Sequence, residues 1–256
     1  MSIIQALIFG IVEGVSEFLP ISSTGHLMLT ARYLGISQTE FVKSFEIAIQ
    51  LGAILAVAVL YWKTLIKGGE IYLKLLAAFL PTAIIGAILY KVVKGFLLNS
   101  NTVVLWALFL GGIALIVFEW LHREKESAVA ELSGITYPQA VLIGIFQSLA
   151  IVPGVSRAAA TIVGGLVVGL RRKTIVEFSF LLAIPTMAAA VALDLLKSAN
   201  TFNRGQFLVL SIGFLVSFAV AILAIRFLLA FIKKHTFIPF GIYRILLAAA
   251  FWLKFR

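Results

Sequence analysis

Glu13 and Glu17 stand four residues apart and are followed by Pro20, Ser22, Ser23, Thr24, Gly25 and His26, all inside an otherwise apolar stretch. Four-residue spacing puts both carboxylates on one helix face. In a low-dielectric setting such a pair is tolerated when it shares a proton, holds a cation or faces an arginine. Ser23 and His26 lie three apart, one turn along one face. A serine with a histidine in reach and carboxylates behind it is the nucleophile–base–orienter arrangement of covalent catalysis. Hydroxyls after a proline break also cap helices, so Ser22 or Ser23 can serve as an N-cap instead. A second break, PGVSRAAAT (Pro153–Thr161), supplies Gly154, Ser156 and Arg157 at another helix start. Backbone amides there form a ready anion site, and the arginine fork suits phosphate oxygens. These parts together fit phosphoryl transfer with a metal held by the carboxylates.

The surrounding chain is that of an integral membrane protein. Of 256 residues 62% are hydrophobic and only 12% charged, with a mean hydropathy of +1.10; soluble domains run at roughly 45–50% apolar and about 25% charged. Six stretches read as full crossings: Ala48–Trp62, Leu75–Tyr90, Val103–Leu121, Phe178–Leu196, Phe207–Phe231 and Phe237–Phe255. Strand-like alternation is absent, so helices are the expected spanning form. Met1–Phe9 has no basic residues and Glu13 interrupts the apolar run, so no cleavable leader is expected. The lack of cysteine excludes disulfides and thiolate chemistry. The net charge of +10 is spread in pairs at segment ends, which points to anionic lipid and topology rather than to nucleic acid.

The chain repeats weakly at an offset of 134 residues: Gly10, Glu13, Ser22 and Gly35 fall against Gly144, Gln147, Ser156 and Gly169. We read repeat one over 1–122, a polar linker over 123–136 and repeat two over 137–256. Each repeat is a broken, re-entrant helix hairpin followed by three spans. An odd number of spans inverts one repeat relative to the other, which brings the two breaks together. Ser37–Glu40 and Thr174–Glu177 read as capping boxes before the third helical segment of each repeat. Lys63, Lys67, Arg123, Lys125, Arg171, Arg172, Lys173, Lys233 and Lys234 then share one side, assigned to the cytoplasm. Arg32, Lys43, Lys91, Lys94, Lys197, Arg204, Lys254 and Arg256 share the other, with both termini. Gln50 either lines the cavity or bonds a neighbouring helix. Glu119, beside Trp120, reads as interfacial. Arg226 and Arg244 lie deeper; Arg244 with Tyr243 either reaches the site or snorkels.

Four motifs resemble the bacterial undecaprenyl-diphosphate phosphatases, also called bacitracin-resistance proteins: EGVSEFLPISSTGH (Glu13–His26), FEIAIQLGAILAV (Phe45–Val57), PGVSRAAAT and FSFLLAIP (Phe178–Pro185). The resemblance spans essentially the whole chain. It implies an all-α membrane enzyme that removes one phosphate from undecaprenyl diphosphate and regenerates the monophosphate carrier for wall polymers. It further implies a site open to the outer face of the plasma membrane and a divalent cation, Mg2+ or Ca2+; a homodimer is compatible with it. Carried onto this sequence, Ser23 is the nucleophile and His26 its acid/base partner. Glu13 and Glu17 handle the metal or a proton, and Arg157 holds the pyrophosphate. Ser22, Thr24, Gly25, Gly154, Ser156 and Thr161, with Gln50, complete the candidate binding set. The family usually has serine and glycine after the arginine, where this chain has Ala158 and Ala159.

Two other functions compete. Broken helices in inverted repeats also build carriers, so a polyprenyl-phosphate flippase is the alternative. Ser23-Thr24-Gly25-His26 superficially matches one motif of the histidine-nucleophile lipid phosphatases. Their signature also needs a histidine soon after the arginine, and the next one here is His235.

Overall fold

The computed structural model describes residues 1–92, 100–198 and 204–254. Phe255, Lys94 and Arg256, assigned above to a span end and to the second charged face, lie outside the described residues; so do the side chains of Lys91, Lys197 and Arg204. The helices run α1 (Ile3–Ser16), α2 (Ser23–Tyr33), α3 (Glu40–Leu60), α4 (Trp62–Lys67), α5 (Glu70–Val92), α6 (Asn101–Leu121), α7 (Tyr137–Gln147), α8 (Arg157–Val167), α9 (Arg172–Ser198), α10 (Arg204–Phe231) and α11 (Ile238–Lys254). Segments Glu40–Leu60, Glu70–Leu89, Asn101–Leu121 and Gln206–Phe231 are long and apolar enough to cross a membrane. The chain is an all-α membrane protein. Helices α1, α2, α7 and α8 have 14, 11, 11 and 11 residues. At about 1.5 Å per residue none of these four covers a hydrocarbon core of about 30 Å.

The helix starts follow from local side-chain chemistry, and the 134-residue offset recurs in them. Helix α1 opens in a capping box in which the Ser2 hydroxyl accepts from Gln5 N and the Gln5 side chain accepts from Ser2 N. Thr136 and Gln139 make the same box at α7. Helices α2 and α8 are capped by Ser22 and Ser156, whose hydroxyls accept from Gly25 N and Ala159 N. The capping boxes expected at Ser37–Glu40 and Thr174–Glu177 do not form. Thr39 caps α3 by accepting from Val42 N, and Glu40 pairs with Lys43 instead. Helix α9 begins two residues before Thr174, so Thr174 falls in its first turn.

Helix α10 packs along α1 and α3, α5 packs along α7 and α9, and α6 packs along α11. Exchanging the halves at the same offset maps α1, α3 and α10 onto α7, α9 and α5. Close approach is set by small residues at four-residue spacing. Gly10 and Gly14 of α1 face Gly213 and Ser217 of α10, so tightly that a Cβ on Gly14 would stand 2.7 Å from the Ser217 carbonyl oxygen and 2.8 Å from Val220 Cβ. This is the small-xxx-small contact that substitutes for a hydrophobic drive between membrane helices. Gly14→Leu is therefore expected to lower stability by at least about 3 kcal/mol through overpacking, read as a drop in unfolding temperature in detergent.

Of the basic residues assigned above to the cytoplasm, Arg171, Arg172, Lys173, Lys233 and Lys234 gather where α9 and α11 begin, while Lys63 and Lys67 lie on α4. Glu119 is not interfacial: its carboxylate is fully buried, accepts from Arg172 Nη1 at 2.9 Å and from Phe237 N at 3.2 Å. A desolvated ion pair needs those extra hydrogen bonds to hold, and they tie three helix ends together. The linker is pinned beside them, with Val129 N donating to Gly169 O and Arg171 N to Val129 O.

Candidate active site

Each break is a tight turn whose last residue takes an unusual conformation. Ser22 and Ser156 have φ of +74° and +78°, the two non-glycine residues with positive φ among those described. Such backbone costs on the order of 1–3 kcal/mol and persists only where neighbours over-determine it. Arg244, with no exposed surface, is that neighbour. Its Nη1 donates to Pro20 O at 3.4 Å and Val155 O at 2.9 Å, and its Nη2 to Gly154 O at 2.9 Å and Ala107 O at 3.0 Å. Its Nε donates to Leu108 O at 3.3 Å. Five donors thus meet five carbonyls, and the guanidinium clips both break loops to α6. Gly111 makes room: a Cβ there would lie 2.9 Å from Arg244 Cζ. Gly154 is required twice, by its φ of +96° and by a Cβ position 2.7 Å from Val104 O.

Arg244→Ala is expected to cost about 3–5 kcal/mol, since it strands buried carbonyls and leaves a cavity. Arg244→Lys, with three donors for five acceptors, should recover part of that. Thermal unfolding in detergent measures both.

The clip brings the chemistry-bearing residues together across the two halves. Arg157 Nη2 meets Glu17 Oε1 at 3.0 Å, and its Nη1 donates to Ser179 O at 2.9 Å. Ser23 Oγ donates to Glu17 Oε2 at 2.5 Å. Because Ser22 takes the capping role, the Ser23 hydroxyl is free for this bond. Glu17 therefore holds the serine on one oxygen and the arginine on the other. Glu13 is fully buried, and neither of its carboxylate oxygens has a hydrogen-bond partner. Arg157 Nε, also buried, has none either. Orphaned acceptors and an orphaned donor at one locus are costly unless a ligand or water completes them.

His26 sits one turn along α2 but is turned away from Ser23. Its Nδ1 is 2.7 Å from Ser22 O and its Nε2 2.7 Å from the Tyr243 hydroxyl, and the two rings stack at 5.5 Å and 8°. A carbonyl can only accept, so Nδ1 carries hydrogen, and in the neutral ring Nε2 then accepts from Tyr243. The serine's partner is thus Glu17 rather than the histidine.

Thr161 donates to Arg157 O and Ala158 O in its own helix and meets Ser179 Oγ at 2.6 Å, so it buttresses the arginine from behind. Gly25 packs near Leu108. Ala158 is buried in the core, and position 158 faces packing rather than the site. Thr24 is exposed, and Gln50, half-buried, takes part in no hydrogen bond among the described residues. Arg226 is exposed. Of the two readings of Arg244 with Tyr243, reaching the site is the one the contacts support, whereas Ser179 carries no spacing signal of its own. The signal available was a polar residue inside FSFLLAIP and an arginine within an apolar run.

Comparison with known proteins matches the chain to one family. The family model described as "Bacitracin resistance protein BacA" matches residues 6–250. A protein of Aquifex aeolicus named undecaprenyl-diphosphatase is 54% identical over 252 residues, covering 97% of this chain and 98% of its own. Proteins of the same name from Wolinella succinogenes and Persephonella marina are 51% and 47% identical, covering 98% and 99% of this chain and 97% and 99% of theirs. With its two serine-capped breaks joined by Glu17 and Arg157, the chain belongs to the BacA family of bacitracin resistance proteins.

Proposed function

We propose that this chain is a membrane phosphatase that hydrolyses undecaprenyl diphosphate to undecaprenyl phosphate and inorganic phosphate. One observation carries the reading: Glu17 joins Ser23 of the first break to Arg157 of the second. The names of the relatives supply the substrate. A carrier has use for an arginine in a cavity, but it has none for a serine hydroxyl held on a carboxylate.

In this reading Ser23 Oγ bonds to the terminal phosphorus as its proton passes to Glu17. The bond from that phosphorus to the bridging oxygen breaks, and the lipid monophosphate leaves with the electron pair. Water then takes the phosphoryl group from Ser23, whose oxygen regains a proton. Arg157, with its unpartnered Nε, holds phosphate oxygens and balances charge as it spreads over them. His26, with Nδ1 on Ser22 O and Nε2 on the Tyr243 hydroxyl, holds the first break loop in place beside the phosphates. Gly154, Ser156, Ser22 and Gly25 shape the two loops around the phosphates.

The residues fit a divalent cation. Glu13 has two uncommitted oxygens beside a carboxylate at Glu17, an all-oxygen set that suits Mg2+ or Ca2+. No group of three or more metal-ligating side chains exists among the described residues, so Glu13 and Glu17 would hold the ion with substrate phosphate and water. Bound there, it would neutralise phosphate charge. We further read the halves as inverted repeats, the basic end as cytoplasmic and the site as opening to the outer face.

Phosphate release from undecaprenyl diphosphate by the purified protein in detergent tests this reading, because no gradient exists there for a carrier to use. Robust turnover is expected, falling at least about tenfold on exhaustive chelation and returning with Mg2+ or Ca2+. Turnover that chelation leaves untouched would remove the cation from the account.

A further inference from the structure

A second polar site lies at the other end of α8 from Arg157, an 11-residue helix and thus about 16 Å away. There a cavity of about 490 Å³ is walled by the α9 start, the linker and the α10–α11 turn. Its lining includes Arg171, Arg172, Lys173, Lys233, Lys234 and His235, against the single carboxylate of Glu124. Arg172 is already neutralised, by Glu119 at 2.9 Å and by Glu124 at 3.7 Å. Arg171 spends one donor on Glu126 O, and Lys173 reaches Glu177 only at 3.9 Å. Lys233 and Lys234 are exposed and have no carboxylate within ion-pair distance among the described residues. The first turn of the 27-residue α9 forms part of this wall, with Arg172 N already donating to Glu124 Oε2 at 3.2 Å.

A row of basic residues at a membrane face has an ordinary explanation in topology, but two features go beyond that. The walls are built: Val129 of the linker donates to Gly169 O and accepts from Arg171 N just ahead of α9, and Glu119 locks α6, α9 and α11 together. Thr174, 1% exposed and part of the lining, also has a buried hydroxyl with no partner. A polar group left unpaired in a rigid, positively charged cavity points to an absent acceptor.

We propose that this pocket is a binding site for a phosphate-bearing anion, separate from the reacting centre. The phosphate would sit on Lys233, Lys234 and Arg171, accept from Thr174 Oγ1 and lie against the α9 start. The volume falls in the range of about 300–1,000 Å³ typical of organic ligands, which accommodates the headgroup of an anionic phospholipid as well as free phosphate.

The test titrates short-chain phosphatidylglycerol, and separately inorganic phosphate, into the intact protein in neutral detergent, with binding read from the shift in unfolding temperature. Lys233→Ser/Lys234→Ser is compared with Lys63→Ser/Lys67→Ser, which removes the same charge from exposed α4 positions. Thr174→Val is the third variant. Saturable phosphatidylglycerol binding is expected, weakened about tenfold by the 233/234 pair, about threefold by Thr174→Val and unchanged by the 63/67 pair. Competition by inorganic phosphate would identify the free anion as a sufficient ligand. Lipid binding without such competition would identify the headgroup. Equal losses in both double variants, or no saturation with either probe, would overturn the proposal. All three variants should retain phosphate release, which separates loss of this pocket from loss of the fold.

Discussion

Arg157→Ala is expected to reduce kcat/KM for phosphate release by about 10³-fold, the scale seen when an arginine is withdrawn from a phosphoryl-transfer site. The reason is where Arg157 sits. One of its nitrogens is on Glu17, one on the Ser179 carbonyl, and Nε is buried without a partner. The guanidinium is therefore already immobilised before substrate arrives, and little further ordering is needed to use it. The loss in Arg157→Ala has two parts. Phosphate oxygens lose a charged fork, and Glu17 loses the partner that orients it toward Ser23. Arg157→Lys keeps the charge but cannot bridge Glu17, Ser179 and a phosphate together. It should retain more activity than alanine while remaining at least about tenfold below the parent. Steady-state phosphate release over a range of lipid concentrations checks both variants. A substitution that raised KM alone would mark Arg157 as a binding group with no role in the transition state.

Much of this arrangement is legible in the sequence, and the parts that are not have physical reasons. Pro20 and Pro153 with their neighbouring hydroxyls mark both breaks, because a missing amide donor and a cap leave little choice of local structure. The coincidence of Ser22 with Ser156 and of Gly35 with Gly169 at one offset reappears as matching positive φ values. Helix starts were harder to read. A hydroxyl followed three residues later by glutamate or glutamine is necessary for a capping box but does not say where the helix begins. Ser37 and Thr174 both meet the pattern without forming a box, whereas Ser2 and Thr136 form boxes with glutamine.

Contacts between distant residues were harder still. Spacing puts His26 one turn from Ser23, yet it cannot reveal that Tyr243, 217 residues on, takes the imidazole Nε2. Nor can it reveal that Glu17 wins the serine. The role of Arg244 rests on five carbonyls from three separate segments, and only a folded chain assembles those. Glu119 reads as interfacial because a span end beside a tryptophan is usually wet, but α9 and α11 close over it.

Ser23 carries the largest remaining expectation. The residue is 8% exposed, and its hydroxyl donates to Glu17 at 2.5 Å and is spared from capping by Ser22. A serine with no chemical role here would be a small packing residue, and Ser23→Ala would then be close to neutral for stability and for turnover. As the nucleophile it has no substitute within the site, since Ser22 is committed to Gly25 and Thr24 is exposed. Removing a nucleophile whose base and charge partner remain in place costs about 10³-fold or more in kcat. Ser23→Ala should keep its unfolding temperature within about 1 kcal/mol of equivalent stability.

The decisive measurement is phosphate release from undecaprenyl diphosphate by purified Ser23→Ala protein, with divalent cation present and folding verified by its unfolding temperature. A fall of about 10³-fold or more with the fold intact is the expected result. Turnover within a few-fold of the parent would contradict the account, because the hydroxyl held between the two halves would then have no part in the reaction.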